Sequence, residues 1–250
     1  MRNLYFDESK HTRGGFTLGA FVIAGADAHD AVAQALTLHG LVPGVDEFKS
    51  GKYMSRNPAY AAIRDDLVWY VEKHCSLAVV VVPSGDDTVL GEEALRHLPQ
   101  VLKRCSEDGP VTRAFFDKGL FRPVPTTSEI EDVWHRCELS FEQDSRHVLG
   151  IQLADAAAHV CSLMLLAKLG LVYKQVNEFN PSTNEQFAAP VEWEYWYRFR
   201  RRFLCQPLDR EDPLIAFTEP YGLAVSPDCS TEVAEAARET FGQFYVGCTW

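Results

Sequence analysis

No Cys-x-x-Cys pair occurs among the cysteines at positions 75, 105, 137, 161, 205, 229 and 248. Their scatter and odd count argue against a zinc site and against a secreted disulfide framework, so reduced thiols in a cytoplasmic protein are expected. A Gly-rich phosphate loop is also missing, which removes support for a P-loop NTPase or a dinucleotide-binding dehydrogenase. Ser84-Gly85 follows a strongly apolar run but lacks the Gly-x-Ser-x-Gly elbow of an α/β-hydrolase. Basic residues are in the minority, 24 against 35 acidic ones, for a formal net charge of −11. Such a chain does not coat nucleic acid non-specifically, although a local basic patch or bound metal ions can reverse the field at a site. Long apolar runs are scarce too. The most apolar stretch, Val160 to Val172, is shorter than the ~20 residues a membrane span needs, and Asp155, His159 and Lys168 interrupt the wider window. It reads as a buried helix, so no membrane partner is expected. The N-terminal region turns acidic at Asp7, unlike a secretory leader. No internal repeat or low-complexity tract is visible.

What remains is an ordinary globular composition, 46% hydrophobic over 250 residues, enough for one large domain or a domain with an appendage. Arg2 to Asp7 reads as a strand, His11 to Gly15 as a turn, and Phe16 to Ala24 as a second strand. So short a connection predicts an antiparallel hairpin. Helical patterns cover Asp27–His39, Pro58–Lys73 with Asn57 as N-cap, Leu90–Cys105, Leu149–Leu169, Val191–Leu204 and Thr231–Phe241. Leu77 to Val82 is a continuous apolar run, which predicts a strand buried on both faces. Val111 to Phe116 and Glu138 to Phe141 read as further strands. Val42–Gly51 reads as a loop or short strand, Asn177–Pro190 as a polar loop, and Asp209–Ser230 as irregular. A hairpin followed by alternating helices and strands indicates an α/β fold with a mixed sheet.

Several carboxylates stand where such a fold could gather them. Asp7 and Glu8 end the first strand, Glu47 lies in the Glu47-Phe48-Lys49 loop, and Asp117 follows the strand Arg113–Phe116. Asp155 interrupts a nearly all-apolar helix and shares a face with Gln152 and His159. Taken singly, each has a plain structural reading as a turn residue, a solvated acid or a locally satisfied polar group. Gathered, they would repel one another unless cations intervened. Oxygen-only ligands suit Mg²⁺ or Mn²⁺, and two such ions ~4 Å apart can promote phosphodiester hydrolysis. Asp86 and Asp87, after the most apolar strand, are rivals of Asp117.

Tyr5-Phe6-Asp7-Glu8-Ser9-Lys10, Glu47-Phe48-Lys49-Ser50-Gly51, Phe115-Phe116-Asp117-Lys118-Gly119 and Ser145–His159 with its intact Gln152-Leu153-Ala154-Asp155 resemble, in that order, the motifs of the DUF3800 family. Lys10 stands where that family usually has glycine. Its members are mostly bacterial and phage-associated and similar in fold to RNase H. The resemblance spans about residues 3 to 170. It implies an RNase H-like mixed β-sheet flanked by helices over residues 1–172, with residues 173–250 as a helical and irregular extension packed on that core. It implies a two-metal nuclease in which Asp7 bridges the ions, Asp117 and Asp155 complete their shells, and Glu47 or Glu8 assists. Lys49 and Gln152 would then touch substrate.

The segment Glu192–Phe203 is aromatic and basic. Its aromatics could stack on bases, and Arg198, Arg201 and Arg202 could pair with phosphates. The plain alternative is an amphipathic helix whose aromatics pack on the core. The reading is thus a divalent-metal-dependent nuclease or related phosphodiester hydrolase acting on RNA or DNA. The alternative is a non-catalytic RNase H-like scaffold that binds nucleic acid or a protein, in phage defence or on a mobile element. An oligomer is compatible with either.

Overall fold

The computed structural model describes residues 1–51, 57–85, 87–105, 109–126, 137–180, 185–204, 217–218, 222–242 and 244–245. Strands β1 (Arg2–His11) and β2 (Phe16–Gly25) form the expected hairpin, closed by a short 3-10 turn at Thr12–Gly14 and by Gly15 at φ 72°. Helices α1 (Ala28–Leu38) and α2 (Pro58–His74) follow, and the Asn57 side chain caps α2 by accepting from the Ala59 N–H. Next come β3 (Ser76–Pro83), α3 (Asp87–Cys105), β4 (Val111–Asp117), β5 (Glu138–Gln143) and α4 (Ile151–Lys168). The C-terminal part adds β6 (Gln175–Asn180), β7 (Glu185–Pro190), α5 (Val191–Phe199), β8 (Phe217–Thr218), β9 (Leu223–Val225), α6 (Thr231–Phe241) and β10 (Phe244–Tyr245).

Six strands make one mixed sheet in the order β5-β4-β1-β2-β3-β9. The β1-β2-β3 meander is antiparallel, while β4 lies parallel to β1, β5 to β4 and β9 to β3. Helices cover both faces, and the expected α/β architecture, a mixed sheet flanked by helices, is present. The sheet separates two apolar clusters. Tyr5, Leu18, Leu77, Val79 and Val81 point toward α4 and its neighbours, while Leu4, Phe6, Ala78, Val80, Val82 and Phe116 point toward α3. The Leu77–Val82 run is therefore buried on both faces, as its composition requires. Helix α4 is the one described helix long and apolar enough to cross a membrane. Here it is wedged against β1 and β2, and Gly150 at its start lies so close to Tyr5 that a Cβ there would stand 2.2 Å from the ring.

Two readings need correction. Residues 175–190, read in large part as a loop, hold the β6–β7 hairpin. The polar residues and Pro181 masked its alternation. Strand β1 continues to His11, so Asp7 is not at a strand end and Lys10 occupies a paired strand position opposite Thr17. The C-terminal part also reaches the central sheet. Leu77 bonds to Arg202 and Leu204, and β9 pairs with β3.

Candidate metal centre

Asp7 lies within β1, but the parallel pairing of β1 with β4 stops at Phe6 and Phe116. Asp7 and Asp117 are therefore the next residues on two neighbouring strands, just where the strands part. Strand alternation turns both toward the α4 face, the side of Tyr5 and Phe115, whose rings stack at 5.6 Å. Both are almost sealed from solvent, 3% and 5% exposed. One carboxylate oxygen each from Asp7, Glu8 and Asp117 lies within 4.8 Å of the others. The turn after Asp117 is held by Glu142, whose carboxylate accepts from the Gly119 N–H at 2.9 Å.

Asp155 enters from α4, buried to 5% exposure. Its two oxygens accept from the Ser50 N–H at 2.8 Å and the Ser50 hydroxyl at 2.5 Å. One turn earlier, Gln152 accepts from the Phe48 N–H at 3.0 Å and donates to the Ser145 carbonyl at 2.9 Å. Glu47 accepts from the Ser145 hydroxyl, and its carbonyl accepts from the Tyr60 hydroxyl at 3.1 Å. Phe48 is fully buried. The loop is thus pinned at residues 47, 48 and 50, and the pinning delivers Lys49 into the acids. The Lys49 ammonium lies 3.3 Å from Glu47, 3.5 Å from Asp117 and 3.9 Å from Asp7.

The electrostatics follow from this crowding. Burial, then the charges of Asp155, Glu8 and Asp117, hold the Asp7 carboxyl well above its usual range, with Lys49 opposing. Burial raises Asp117 as well, again against Lys49. Asp155 is pushed up to about 6 by burial, despite both hydrogen bonds from Ser50. Burial works against the Lys49 ammonium, yet Asp7, Asp117, Asp155 and Glu47 hold its proton above the ordinary lysine value. Even so, Oδ1 of Asp117 and Oε2 of Glu8 are buried with no hydrogen-bond partner among the described residues. Unsatisfied buried carboxylate oxygens are rare and costly. An all-oxygen donor set with such atoms, and with a lysine cation drawn into its midst, fits a hard divalent cation.

The structure brings together Asp7, Glu8, Glu47, Lys49, Asp117 and Asp155. Gln152 is fully buried and spends its amide on the loop and on Ser145, so it is a structural anchor and not a substrate contact. Arg198 is committed to Glu72 at 2.7 Å and to Glu194 at 3.6 Å. Arg201 is exposed and Arg202 half-buried. On α5 the buried face is Val191, Tyr195 and Phe199, while Trp193 and Tyr197 are 42% and 50% exposed and stack on each other. Asp86 lies outside the described residues, and Asp87 begins α3. His147 is exposed, and burial pushes the half-buried His159 down to about 4, keeping it neutral. Ser50, Ser145 and Glu142, not among the expected site residues, hold the frame with their polar atoms. Nothing in their spacing distinguishes them from solvated polar residues.

No protein-family model matches the chain, and no curated protein sequence matches it. Among solved structures it is similar to a chain of the PCNA:RNase HII complex from Archaeoglobus fulgidus, at 15% identity over 79% of this chain and 89% of that one, with a TM-score of 0.41.

Proposed function

We propose that this protein is a divalent-metal-dependent nuclease or a related phosphodiester hydrolase. The observation that carries the reading is the buried carboxylate cluster of Asp7, Glu8 and Asp117, with two oxygens left unpartnered among the described residues. Asp7, Glu8 and Asp117 would hold the cation, with the Asp155 carboxylate near enough to Asp7 to raise its carboxyl. The DUF3800 resemblance would place two such ions at this site. Bound Mg²⁺ or Mn²⁺ would supply electrophilic activation of a phosphodiester and neutralise the charge that builds on it. The protein's own part is positional. The parting of β1 and β4 fixes Asp7 and Asp117, and Gln152 and Asp155 fix the Glu47–Ser50 loop. Glu47, at the more open rim of the cluster, is the group able to take a proton from an attacking water. RNA or DNA is the substrate class, with the exposed Trp193–Tyr197 stack and Arg201 as an accessory surface.

The test is cleavage of labelled single-stranded, duplex and hybrid nucleic acids with Mg²⁺ or Mn²⁺, by the wild type and by Asp7→Asn. Metal-dependent cleavage that the variant lacks supports the reading, while equal activity in both, or activity in excess chelator, overturns it. One observation favours a second reading, a non-catalytic nucleic-acid- or protein-binding scaffold: the Lys49 ammonium already neutralises part of the cluster. Nucleic-acid binding that is indifferent to metal and to Asp7→Asn would favour it.

A further inference from the structure

Lys49 stands apart from an ordinary surface lysine in three ways. Its ammonium touches three carboxylates, Glu47, Asp117 and Asp7, from three different chain segments. Two of those, Asp7 and Asp117, are also residues of the proposed cation site. The loop that carries it is fixed on both sides, by Phe48 bonding to Gln152 and by Ser50 bonding twice to Asp155. A flexible side chain on so firmly held a backbone is a tethered charge: its position is set by the loop, and its head can still swing. Its side chain keeps 34% exposure, so an outward path exists.

From this geometry we infer that Lys49 is a built-in counter-ion that occupies the cation position of the metal-free protein and must withdraw when a divalent metal binds. The inference rests on the metal-site reading above. The physical ground is direct competition. An ammonium 3.5 Å from Asp117 and 3.9 Å from Asp7 repels an incoming dication and engages the same oxygens, so metal affinity is weakened by the displacement. In the absence of metal the same lysine limits the mutual repulsion of the acids, which keeps the apo site folded. Gln152 and Asp155, in the first turns of α4, then act as positioning residues for this exchange, because they set where the lysine stands.

The experiment compares Mn²⁺ binding to the wild type, Lys49→Met and Lys49→Arg, read from the electron paramagnetic resonance signal of free Mn²⁺. Loss of the charge in Lys49→Met should tighten Mn²⁺ binding by about tenfold or more. Lys49→Arg keeps the charge and should stay within about threefold of the wild type. A second measurement needs no variant. Acylation of Lys49 in the native protein, followed by mass spectrometry, should rise when Mn²⁺ is added, because the amine leaves its carboxylates. Equal or weaker Mn²⁺ binding by Lys49→Met, or Lys49 acylation that Mn²⁺ leaves unchanged or lowers, overturns the inference while the metal site stands. Mn²⁺ that binds none of the three proteins removes the metal reading and this inference together.

Discussion

Asp155→Asn gives the sharpest energetic prediction. Asp155 is buried, and burial pushes its carboxyl up to about 6, above the ordinary aspartate value of about 3.9. A raised folded-state value means that the group's favourable contribution is complete below about pH 4 and is lost as the pH climbs through 6. Two pK units correspond to about 3 kcal/mol of stability forfeited by the metal-free wild type between pH 4 and pH 7.5. Asparagine is nearly isosteric. Its carbonyl can still accept from the Ser50 N–H, and its amide can donate to the Ser50 hydroxyl, so most of the local geometry survives at the expense of about 1 kcal/mol for weakened bonds. The variant should therefore be slightly less stable than the wild type at pH 4.5 and more stable by about 1–2 kcal/mol at pH 7.5. For a chain of this size that gain is about 2–8 °C in Tm. Denaturant unfolding at both pH values in the presence of chelator measures it. A stability difference that does not change sign or size between the two pH values refutes the reasoning, because Asp155 would then not be carrying an unfavourable charge.

Asp117→Asn should abolish the rise in Tm that Mn²⁺ confers on the wild type while leaving the metal-free Tm near or above its original value, as thermal scans with and without metal would show. Gln152→Ala leaves the buried Phe48 N–H and Ser145 carbonyl without their partner, so unfolding should reveal a loss of about 2–4 kcal/mol and nuclease activity should fall as the loop loosens. Gly150→Ala drives a Cβ to 2.2 Å from the Tyr5 ring, and chemical denaturation should register about 1–3 kcal/mol of overpacking strain between α4 and β1.

The hairpin, the doubly buried Leu77–Val82 strand and the long buried helix were legible because alternation, continuous apolarity and length are local properties of the chain. The acids were legible as a set for a related reason: Asp117 closes an apolar strand and Asp155 interrupts an apolar helix, and such breaks stand out. Their convergence was not local. It depends on β1 and β4 ceasing to pair after Phe6 and Phe116, a register property that no single segment carries. The roles of Gln152 and Lys49 were hidden for the same reason. Gln152 resembles a polar residue on the site face until the loop 104 residues earlier in the chain is seen to hang from it. Lys49 resembles a substrate contact until its ammonium is found among the acids. The β6–β7 hairpin was missed because prolines and polar side chains dominate a ribbon whose pairing is made by backbone groups.

Binding of a divalent cation by Asp7, Glu8 and Asp117 is tested most directly by anomalous diffraction from Mn²⁺-soaked crystals. The expected result is a Mn²⁺ peak at direct coordination distance from the carboxylates of Asp7 and Asp117, with the Lys49 ammonium moved away from both. Crystals that show no Mn²⁺ at these carboxylates at millimolar concentration, with Lys49 still seated between them, would contradict it.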